Sequence, residues 1–187
     1  MGVSGLSSQR AVFLDRDGVL NRAIVRNGKP YPPSAPSEME LVPDAPESLR
    51  GLKEAGFLLI VVTNQPDIAR GTQKPAAVEA IHHALRQALP LDDFFVCPHD
   101  DSDQCDCRKP LPGLLLRAAG THGIDLSHSF MIGDRWRDVE AGASAGCTTI
   151  LIDYGYREKR PSIEPSATVD SLRAAADWIL AHQLRPW

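Results

Sequence analysis

The sequence lacks several features that would mark whole classes of protein. Its 187 residues include 20 Lys and Arg against 24 Asp and Glu, and without a basic excess it does not resemble a general binder of nucleic acid or of an anionic membrane. No apolar run approaches the roughly 18 residues of a transmembrane helix, and the N-terminus lacks the apolar stretch of a signal peptide. We therefore expect a cytoplasmic protein that binds neither nucleic acid nor membrane.

Cysteine is also scarce, with four residues, which is too few for a disulfide scaffold in a chain of this length. The hydrophobic fraction of 43% and the charged fraction of 24% are those of a folded globular protein, so we expect one domain over residues 1–187, as a monomer. Three of the cysteines nevertheless fall within residues 97–107, and this clustering indicates a metal site in a reducing compartment. Cys147 stands alone and is interpreted as a core residue.

Short apolar runs alternate with helical patterns along the chain. The runs are continuous, as in strands buried on both faces of a parallel sheet, and they lie at 11–14, 57–62, 94–97, 130–132 and 148–152. Helices are predicted between and after them, at 44–56, 75–89, 112–123, 135–145 and 170–182, the first with a capping box formed by Asp44 and Glu47. The alternation predicts a doubly wound α/β fold, with the ligand at the carboxyl ends of the strands.

Two long loops interrupt this pattern, and both directly follow predicted strands. Residues 21–43 carry five prolines and are expected to include a hairpin, whereas residues 98–111 belong to the cysteine-bearing loop. Loops of this length are often functional, so we expect both to overhang the ligand-binding edge of the sheet.

Polar side chains follow successive strands at that same edge. Asp15 and Asp17 come after the first strand, Thr63 after the second, and Asp134 after the fourth, with Lys109 between them along the chain. An Asp-x-Asp pair alone is weak evidence, but carboxylates, a hydroxyl and a lysine at several strand ends serve no obvious purpose in fold stability. Grouped carboxylates repel one another unless a cation joins them.

In order and position, these four segments resemble the four motifs of the haloacid dehalogenase-type phosphohydrolases. The resemblance implies a Rossmann-like sheet with strand order 3-2-1-4-5. The intervals between Asp15 and Thr63 and between Thr63 and Lys109 are too short for a large cap domain. The family resemblance also implies a phosphoric monoester hydrolase that works through an aspartyl-phosphate.

The same resemblance implies a role for each motif residue. Asp15 would be the nucleophile and Asp17 the general acid and base. Thr63 and Lys109 would bind the transferring phosphoryl group, and Asp138 would orient Lys109 or a metal-bound water. Catalytic Mg²⁺ would be held by Asp15, the carbonyl of Asp17 and Asp134.

A second metal is predicted from the cysteine-bearing loop, which reads C-x-H-x5-C-x-C. Three thiolates and one imidazole form a closed tetrahedral set, which is typical of structural Zn²⁺. The ligands would be Cys97, His99, Cys105 and Cys107. The other five histidines, His82 among them, are interpreted as surface or capping residues.

The loop and the C-R-K-P that closes it are similar to a branch of the family that dephosphorylates heptose bisphosphates and histidinol phosphate. The resemblance implies that the substrate is a phosphorylated sugar, with heptose 1,7-bisphosphate cleaved at its 7-phosphate as the leading candidate. Candidate substrate-binding residues are Arg26, Asn64, Gln65, Arg70, Arg108 and Arg135. Arg137 is interpreted as a solvated surface charge. The sequence departs from the heptose pattern in its longer proline-rich loop, at Pro66-Asp67, and at Arg135.

Two other functions stay open at this point. Histidinol phosphate carries cationic groups and would need an anionic pocket, whereas a bisphosphate would need a cationic one, which the arginines favour. A zinc-stapled binding module without catalysis is a remote alternative, because such a protein would be expected to have lost one of the motif residues.

Overall fold

The computed structural model describes residues 9–182 and has a six-stranded parallel sheet at its centre. Residues 1–8, on which the expected absence of a targeting signal partly depends, lie outside the described range. The strands are β1 (Ala11–Leu14), β4 (Leu58–Asn64), β5 (Asp93–Cys97), β6 (Phe130–Gly133), β7 (Thr148–Ile152) and β8 (Ala167–Val169), with β2 (Ile24–Arg26) and β3 (Lys29–Tyr31) forming a separate hairpin. The helices are α1 (Ala45–Glu54), α2 (Pro75–Ala88), α3 (Gly113–His122), α4 (Trp136–Ala145) and α5 (Leu172–His182).

The order of the sheet is β5-β4-β1-β6-β7-β8. Its first five strands confirm the predicted order 3-2-1-4-5, with the switch point between β1 and β6. The sixth strand, Ala167–Val169, pairs in parallel with β7 at the edge of the sheet and was not predicted. It has only three residues and none of them is buried, so it lacks the apolar run that marks the other strands.

The two faces of the sheet are covered by different helices, because successive side chains of a strand point to opposite faces. Val12 and Leu14 of β1 belong to a core cluster that includes residues of α1, α2 and α5. Ala11 and Phe13 point the other way, into a cluster with α3 and α4. All four β1 residues have no exposed surface, so β1 forms a rigid platform for the residues that follow it.

The helices begin and end close to the predicted positions, but the capping box predicted for α1 does not form. Asp44 precedes α1 without making a side-chain hydrogen bond to that helix. Its Oδ2 instead accepts a hydrogen bond of 3.0 Å from the backbone nitrogen of Arg173 in the first turn of α5. The side chain therefore satisfies an unpaired donor of another helix, a long-range contact that the local sequence pattern does not reveal.

The proline-rich loop includes the expected hairpin. Strands β2 and β3 are antiparallel and meet at Asn27 and Gly28, both with positive φ, as a two-residue hairpin turn of the Asn-Gly type requires. The carbonyl oxygen of Gly28 accepts a hydrogen bond of 2.8 Å from the backbone nitrogen of Arg157, in the loop after β7. This hydrogen bond therefore links the hairpin tip to the loop after β7.

Within residues 9–182, no helix combines the length and the apolar character needed to cross a bilayer.

Candidate active site

The carboxyl ends of the strands border a cavity of about 560 Å³. Asp15 and Asp17 reach it from the end of β1, Asn64 from β4, and Lys109 from the loop after β5. The hairpin forms one wall of the cavity, and the start of α4 together with residues 157–159 forms another.

Three buried carboxylates meet at or just below the floor of this cavity, and two of them, Asp15 and Asp138, line it. Asp15, Asp134 and Asp138 each offer an oxygen, and these oxygens lie within 4.8 Å of one another. Burial, with the nearby charges of Asp138 and Asp17, raises the pKa of Asp15 to about 6 despite the opposing effect of Lys109. Burial and the charges of Asp15 and Asp138 likewise raise the pKa of Asp134 well above its usual value. The cluster is short of positive charge.

Asp134 shows most directly what the cluster lacks. Both of its carboxylate oxygens are buried without a partner of good hydrogen-bond geometry among the described residues, and the nearby Tyr156 hydroxyl only partly offsets the rise in the pKa of Asp134. Uncompensated buried oxygens are costly, and a hard cation with oxygen ligands would satisfy them. The donor set therefore fits Mg²⁺.

Two glycines allow these carboxylates to approach. Gly18 has a φ of +90°, and a Cβ added there would overlap the carboxylate of Asp134. A Cβ at Gly133 would overlap the side chain of Asp138. Both positions therefore need glycine for close approach, and Gly18 needs it for backbone conformation as well.

Lys109 is the buried cation of the cluster. Its Nζ donates to Asp138 Oδ1 at 2.6 Å and to the carbonyl of Val62 at 2.8 Å, and lies 3.0 Å from Asp15 Oδ1. Burial alone would lower the pKa of Lys109, but the charges of Asp138 and Asp15 outweigh it and raise that pKa. The lysine is held as a cation directly beside Asp15.

Asn64 fixes the backbone of Lys109. Its Oδ1 accepts from the Lys109 backbone nitrogen at 3.1 Å, and its Nδ2 donates to the Lys109 carbonyl at 3.0 Å. Asn64 also lines the cavity, so it is placed both to support the lysine and to meet a ligand.

Asp17 lies beside this cluster with partners of its own. Arg16 Nε lies 3.1 Å from both of its carboxylate oxygens, and the amide nitrogens of Asn21 and Gln65 donate to them at 3.0 and 2.9 Å. Burial raises the pKa of Asp17, but the charge of Arg16 and these hydrogen bonds more than offset it, so the pKa is lowered. In the free protein Asp17 is an ionised group, ready to accept a proton.

The structure does not place Gln65 at the cavity surface, so its predicted contact with substrate stays a prediction. Gln65 is fully buried and is absent from the cavity lining. Its Nε2 lies 2.9 Å from both Asp17 Oδ2 and Thr63 Oγ1. The amide therefore links side chains at the ends of β1 and β4, a supporting role that is invisible until the strands are paired.

The predicted arginines do not all reach the cavity. Arg70, Arg108 and Arg135 line it, whereas Arg26 lies outside the lining, exposed on the hairpin with its guanidinium over the ring of Tyr31. Arg26 pairs across the hairpin with Lys29, which does line the cavity, so a contact between Arg26 and substrate stays a prediction.

Each of the three predicted arginines that line the cavity already has an acidic partner. Arg70 Nη2 lies 2.7 Å from Asp100 Oδ1, and Arg108 Nε lies 2.7 Å from Asp101 Oδ1. Arg135 is paired with Glu158. A bound anion would have to compete with, or be shared among, these pairs.

Four further cations line the cavity that were not predicted as ligands: Lys29, Arg137, Arg157 and Lys159. Arg137 was interpreted as a solvated surface charge, but it is half-buried. Its Nη1 lies 3.3 Å from the carbonyl of Lys109, and its guanidinium packs on the ring of Trp136. The sequence did hold a signal that Arg137 could reach the cavity: it lies in the first turn of the helix after Asp134, two residues from Arg135.

The cysteine-bearing loop gathers its four candidate ligands at one point. Cys97, His99, Cys105 and Cys107 offer ligand atoms that all lie within 4.8 Å of one another. Cys97 Sγ is 3.7 Å from Cys105 Sγ and 2.9 Å from Cys107 Sγ, and His99 Nδ1 is 3.3 Å from Cys107 Sγ. Three thiols and one imidazole gathered at one point are the donor set of a tetrahedral structural zinc site. Arg108 and Lys109 follow the last cysteine directly.

One histidine contradicts the expectation that the remaining ones lie at the surface or cap helices. His82 is fully buried on α2, and its Nε2 lies 3.2 Å from Arg16 Nη1.

Comparisons with known proteins identify what this chain resembles. The HAD-hydrolase-like family model matches residues 106–175. The D-glycero-beta-D-manno-heptose-1,7-bisphosphate 7-phosphatase of Bordetella bronchiseptica is 35% identical over 158 residues, which are 80% of this chain and 84% of that protein. The enzyme of the same name from Pseudomonas aeruginosa is 34% identical over 181 residues, 92% of this chain and 99% of that protein.

A solved structure shows the same likeness in three dimensions. The D,D-heptose 1,7-bisphosphate phosphatase of B. bronchiseptica, complexed with magnesium and phosphate, aligns with a TM-score of 0.75 and 31% sequence identity. The alignment covers 93% of this chain and 99% of that one.

Proposed function

This chain belongs to the haloacid dehalogenase-like phosphatases and is a phosphoric monoester hydrolase, and from that premise we propose that it removes the 7-phosphate of D-glycero-D-manno-heptose 1,7-bisphosphate. The product would be heptose 1-phosphate, within the synthesis of nucleotide-activated heptose. The observation that carries the proposal is the cavity itself, in which a buried carboxylate and lysine lie beneath a cationic rim. The relatives act on this substrate according to their names.

Asp15 is the proposed nucleophile. Its carboxylate lies at the cavity floor, 3.0 Å from the Lys109 ammonium, and attacks phosphorus to form an aspartyl-phosphate while the bond to the sugar oxygen breaks. Asp17, which is ionised in the free protein, takes up a proton from solvent as the substrate binds and gives it to the departing sugar oxygen. It later takes a proton from the water that hydrolyses the aspartyl-phosphate and releases that proton to solvent. Lys109 and Thr63 hold the phosphoryl oxygens, a task of positioning and charge.

Mg²⁺ would be held by Asp15, the backbone carbonyl of Asp17 and Asp134. When bound, it supplies positive charge that lets an anionic nucleophile approach an anionic phosphate. Asp138 holds Lys109 through the 2.6 Å contact, so its proposed role is to position the lysine.

Arg108 and Arg135 are the proposed ligands of the second phosphate, which stays on the sugar. Both line the cavity, and the guanidinium fork suits a phosphate that takes over from a carboxylate partner. Asn64 and Arg70 would complete the contacts to substrate.

Histidinol phosphate is the second candidate, and the lining disfavours it. The cavity holds three acidic side chains beyond the catalytic cluster, Asp67, Asp101 and Glu158, and each is paired with an arginine. A cationic amine and imidazole would therefore meet no unpaired carboxylate among the described lining residues outside the catalytic cluster.

We also propose that the cysteine-bearing loop binds one structural Zn²⁺ through Cys97, His99, Cys105 and Cys107. A closed set of four protein ligands has no open position for chemistry. The zinc would fix the point from which Arg108 and Lys109 depart. The chain would act as a cytoplasmic monomer with one domain over residues 1–187.

A substrate comparison tests the proposal. Under Mg²⁺, both anomers of heptose 1,7-bisphosphate, heptose 7-phosphate and histidinol phosphate are assayed with the wild type and with Arg135→Met. We expect the wild type to favour the bisphosphate, and the variant to raise its KM about tenfold or more, since a charge-assisted contact is lost. Heptose 7-phosphate, which lacks the second phosphate, is the control and should change little. Faster turnover of histidinol phosphate by the wild type would overturn the substrate assignment.

A further inference from the structure

A buried arginine stands between the two aspartates of the first motif. Arg16 has no exposed surface, which is rare for an arginine unless it is paired. Its Nε lies 3.1 Å from both oxygens of Asp17, and its Nη2 lies 2.9 Å from Asp17 Oδ2. The guanidinium therefore holds the carboxylate of Asp17, which lines the cavity, while Arg16 itself does not line it.

The remaining side of that guanidinium is held by His82. Arg16 Nη1 lies 3.2 Å from His82 Nε2, and the imidazole is fully buried on α2 against the ring of Phe94, with the ring centroids 4.9 Å apart. Arginine has only donors, so Nε2 must be the acceptor and the imidazole must be neutral.

The surroundings of His82 keep it neutral. Burial, followed by the charges of Arg16 and Arg86, lowers the pKa of His82 to about 3, while Asp17 opposes that shift. The ring proton then belongs on Nδ1, which lies 3.5 Å from Glu79 Oε1 without forming a hydrogen bond to a described residue. His82 thus offers a lone pair to Arg16 throughout the working range of pH.

We propose that His82 is a positioning residue for the phosphatase reaction: it anchors Arg16, and Arg16 fixes the Asp17 carboxylate where it can protonate the departing sugar oxygen. The inference rests on the proposed role of Asp17. A buried guanidinium that loses an acceptor is left with an unpaired donor and turns or draws in water. The carboxylate that it holds then moves, and a small misplacement of a proton donor is costly to the rate.

The effect should depend on how much the leaving group needs a proton. His82→Phe keeps an aromatic ring against Phe94 and removes the acceptor, whereas His82→Gln keeps an acceptor on a longer side chain. His83→Leu, on the same helix but exposed, is the matched control. Each is assayed for kcat/KM on the alkyl phosphate that the wild type hydrolyses best and on p-nitrophenyl phosphate, whose phenolate leaves without protonation.

For His82→Phe we expect kcat/KM on the alkyl phosphate to fall about tenfold or more, while kcat/KM on p-nitrophenyl phosphate changes less than about threefold. His82→Gln should recover much of the alkyl activity, and His83→Leu should match the wild type on both. An equal loss on both substrates, or no loss on either, would overturn the proposal, because a merely structural residue has no reason to discriminate between leaving groups. His82→Leu serves the same comparison if the Phe variant does not fold.

Asp17→Asn separates this inference from the function on which it rests. If the variant discriminates between the two substrates but His82→Phe does not, Asp17 is the acid and His82 does not position it. If Asp17→Asn lowers kcat/KM equally on both, the proposed acid itself is wrong, and the role of His82 is refuted along with it.

Discussion

Replacing Asp15 by asparagine should abolish turnover and at the same time stabilise the metal-free protein. In the folded state the pKa of Asp15 is raised from 3.8 to about 6, chiefly by burial. The folded protein therefore binds this proton more tightly than the unfolded chain does. The stability that comes from this proton is complete below about pH 4 and is lost as the pH rises through 6.

The size of the effect follows from the same values. A pKa raised from 3.8 to about 6 corresponds to about 3 kcal/mol of lost stability once the carboxyl is ionised. The asparagine side chain carries no charge and avoids that loss, but the substitution also removes one of the two carboxylates beside Lys109. We expect a net gain of about 1–3 kcal/mol at pH 7.5, or a rise in Tm of about 2–12 °C for a domain of this size.

The assay is urea unfolding of the wild type and Asp15→Asn at pH 4.5 and 7.5. Magnesium is left out, and no strong chelator is added, so that the cysteine cluster is undisturbed. The gain should be clear at pH 7.5 and mostly gone at pH 4.5, and added Mg²⁺ should stabilise the wild type more than the variant. Asp170→Asn, an exposed carboxylate, is the control and should shift stability by less than about 0.5 kcal/mol.

Three results would refute this reasoning. The variant could be less stable than the wild type at pH 7.5 without metal, its gain could be the same at both pH values, or it could retain appreciable turnover. The first two would show that burial does not penalise the charge of Asp15, and the third that Asp15 is not the nucleophile.

Two further predictions concern the supports of the site. Metal analysis of the purified protein should find about one zinc per chain. Cys105→Ala should lose the zinc and lower both Tm and kcat. Cys147→Ala, which removes a buried thiol outside the cluster, should retain the zinc. A zinc-free wild type would count against the site. Gly18→Ala should weaken Mg²⁺ binding about tenfold or more in a titration of activity, because its Cβ would overlap Asp134. Gly56→Ala has a similar φ of +87° and open space around it, so it should cost about 1–2 kcal/mol of stability and leave Mg²⁺ binding unchanged; equal effects on Mg²⁺ binding would contradict the role given to Gly18.

Local chemistry in the sequence was enough to predict the main elements of the fold. Continuous apolar runs identified five strands of the sheet, and Pro and Gly marked most of the helix ends. Asp15, Asp17, Thr63, Lys109 and Asp134 were found because each follows a strand or precedes a helix, and parallel strands bring such positions to one edge. The four candidate zinc ligands could be predicted for a similar reason, since all four fall within residues 97–107.

What the sequence could not decide were contacts between residues far apart along the chain. The burial of His82 against Arg16 joins positions 66 residues apart, and the amide of Gln65 meets Asp17 only when β4 lies beside β1. Asp44 was expected to cap the helix beside it and instead serves α5. That Arg137 lines the cavity and Arg26 does not likewise depended on how the start of α4 and the hairpin pack over the sheet edge.

The charged residues show the same division between what the sequence and the tertiary structure decide. The sequence by itself determined that 20 cations and 24 carboxylates do not form a surface for polyanions, and which carboxylates follow the strands. Only the tertiary structure decided that three of them share one buried point and that Lys109 is the cation that joins two of them. It also decided that Arg70, Arg108 and Arg135 reach the cavity already paired with acidic side chains. The physical reason is that ionic interactions depend on distance and burial, and both are fixed by how the strands pair and how the loops pack over them.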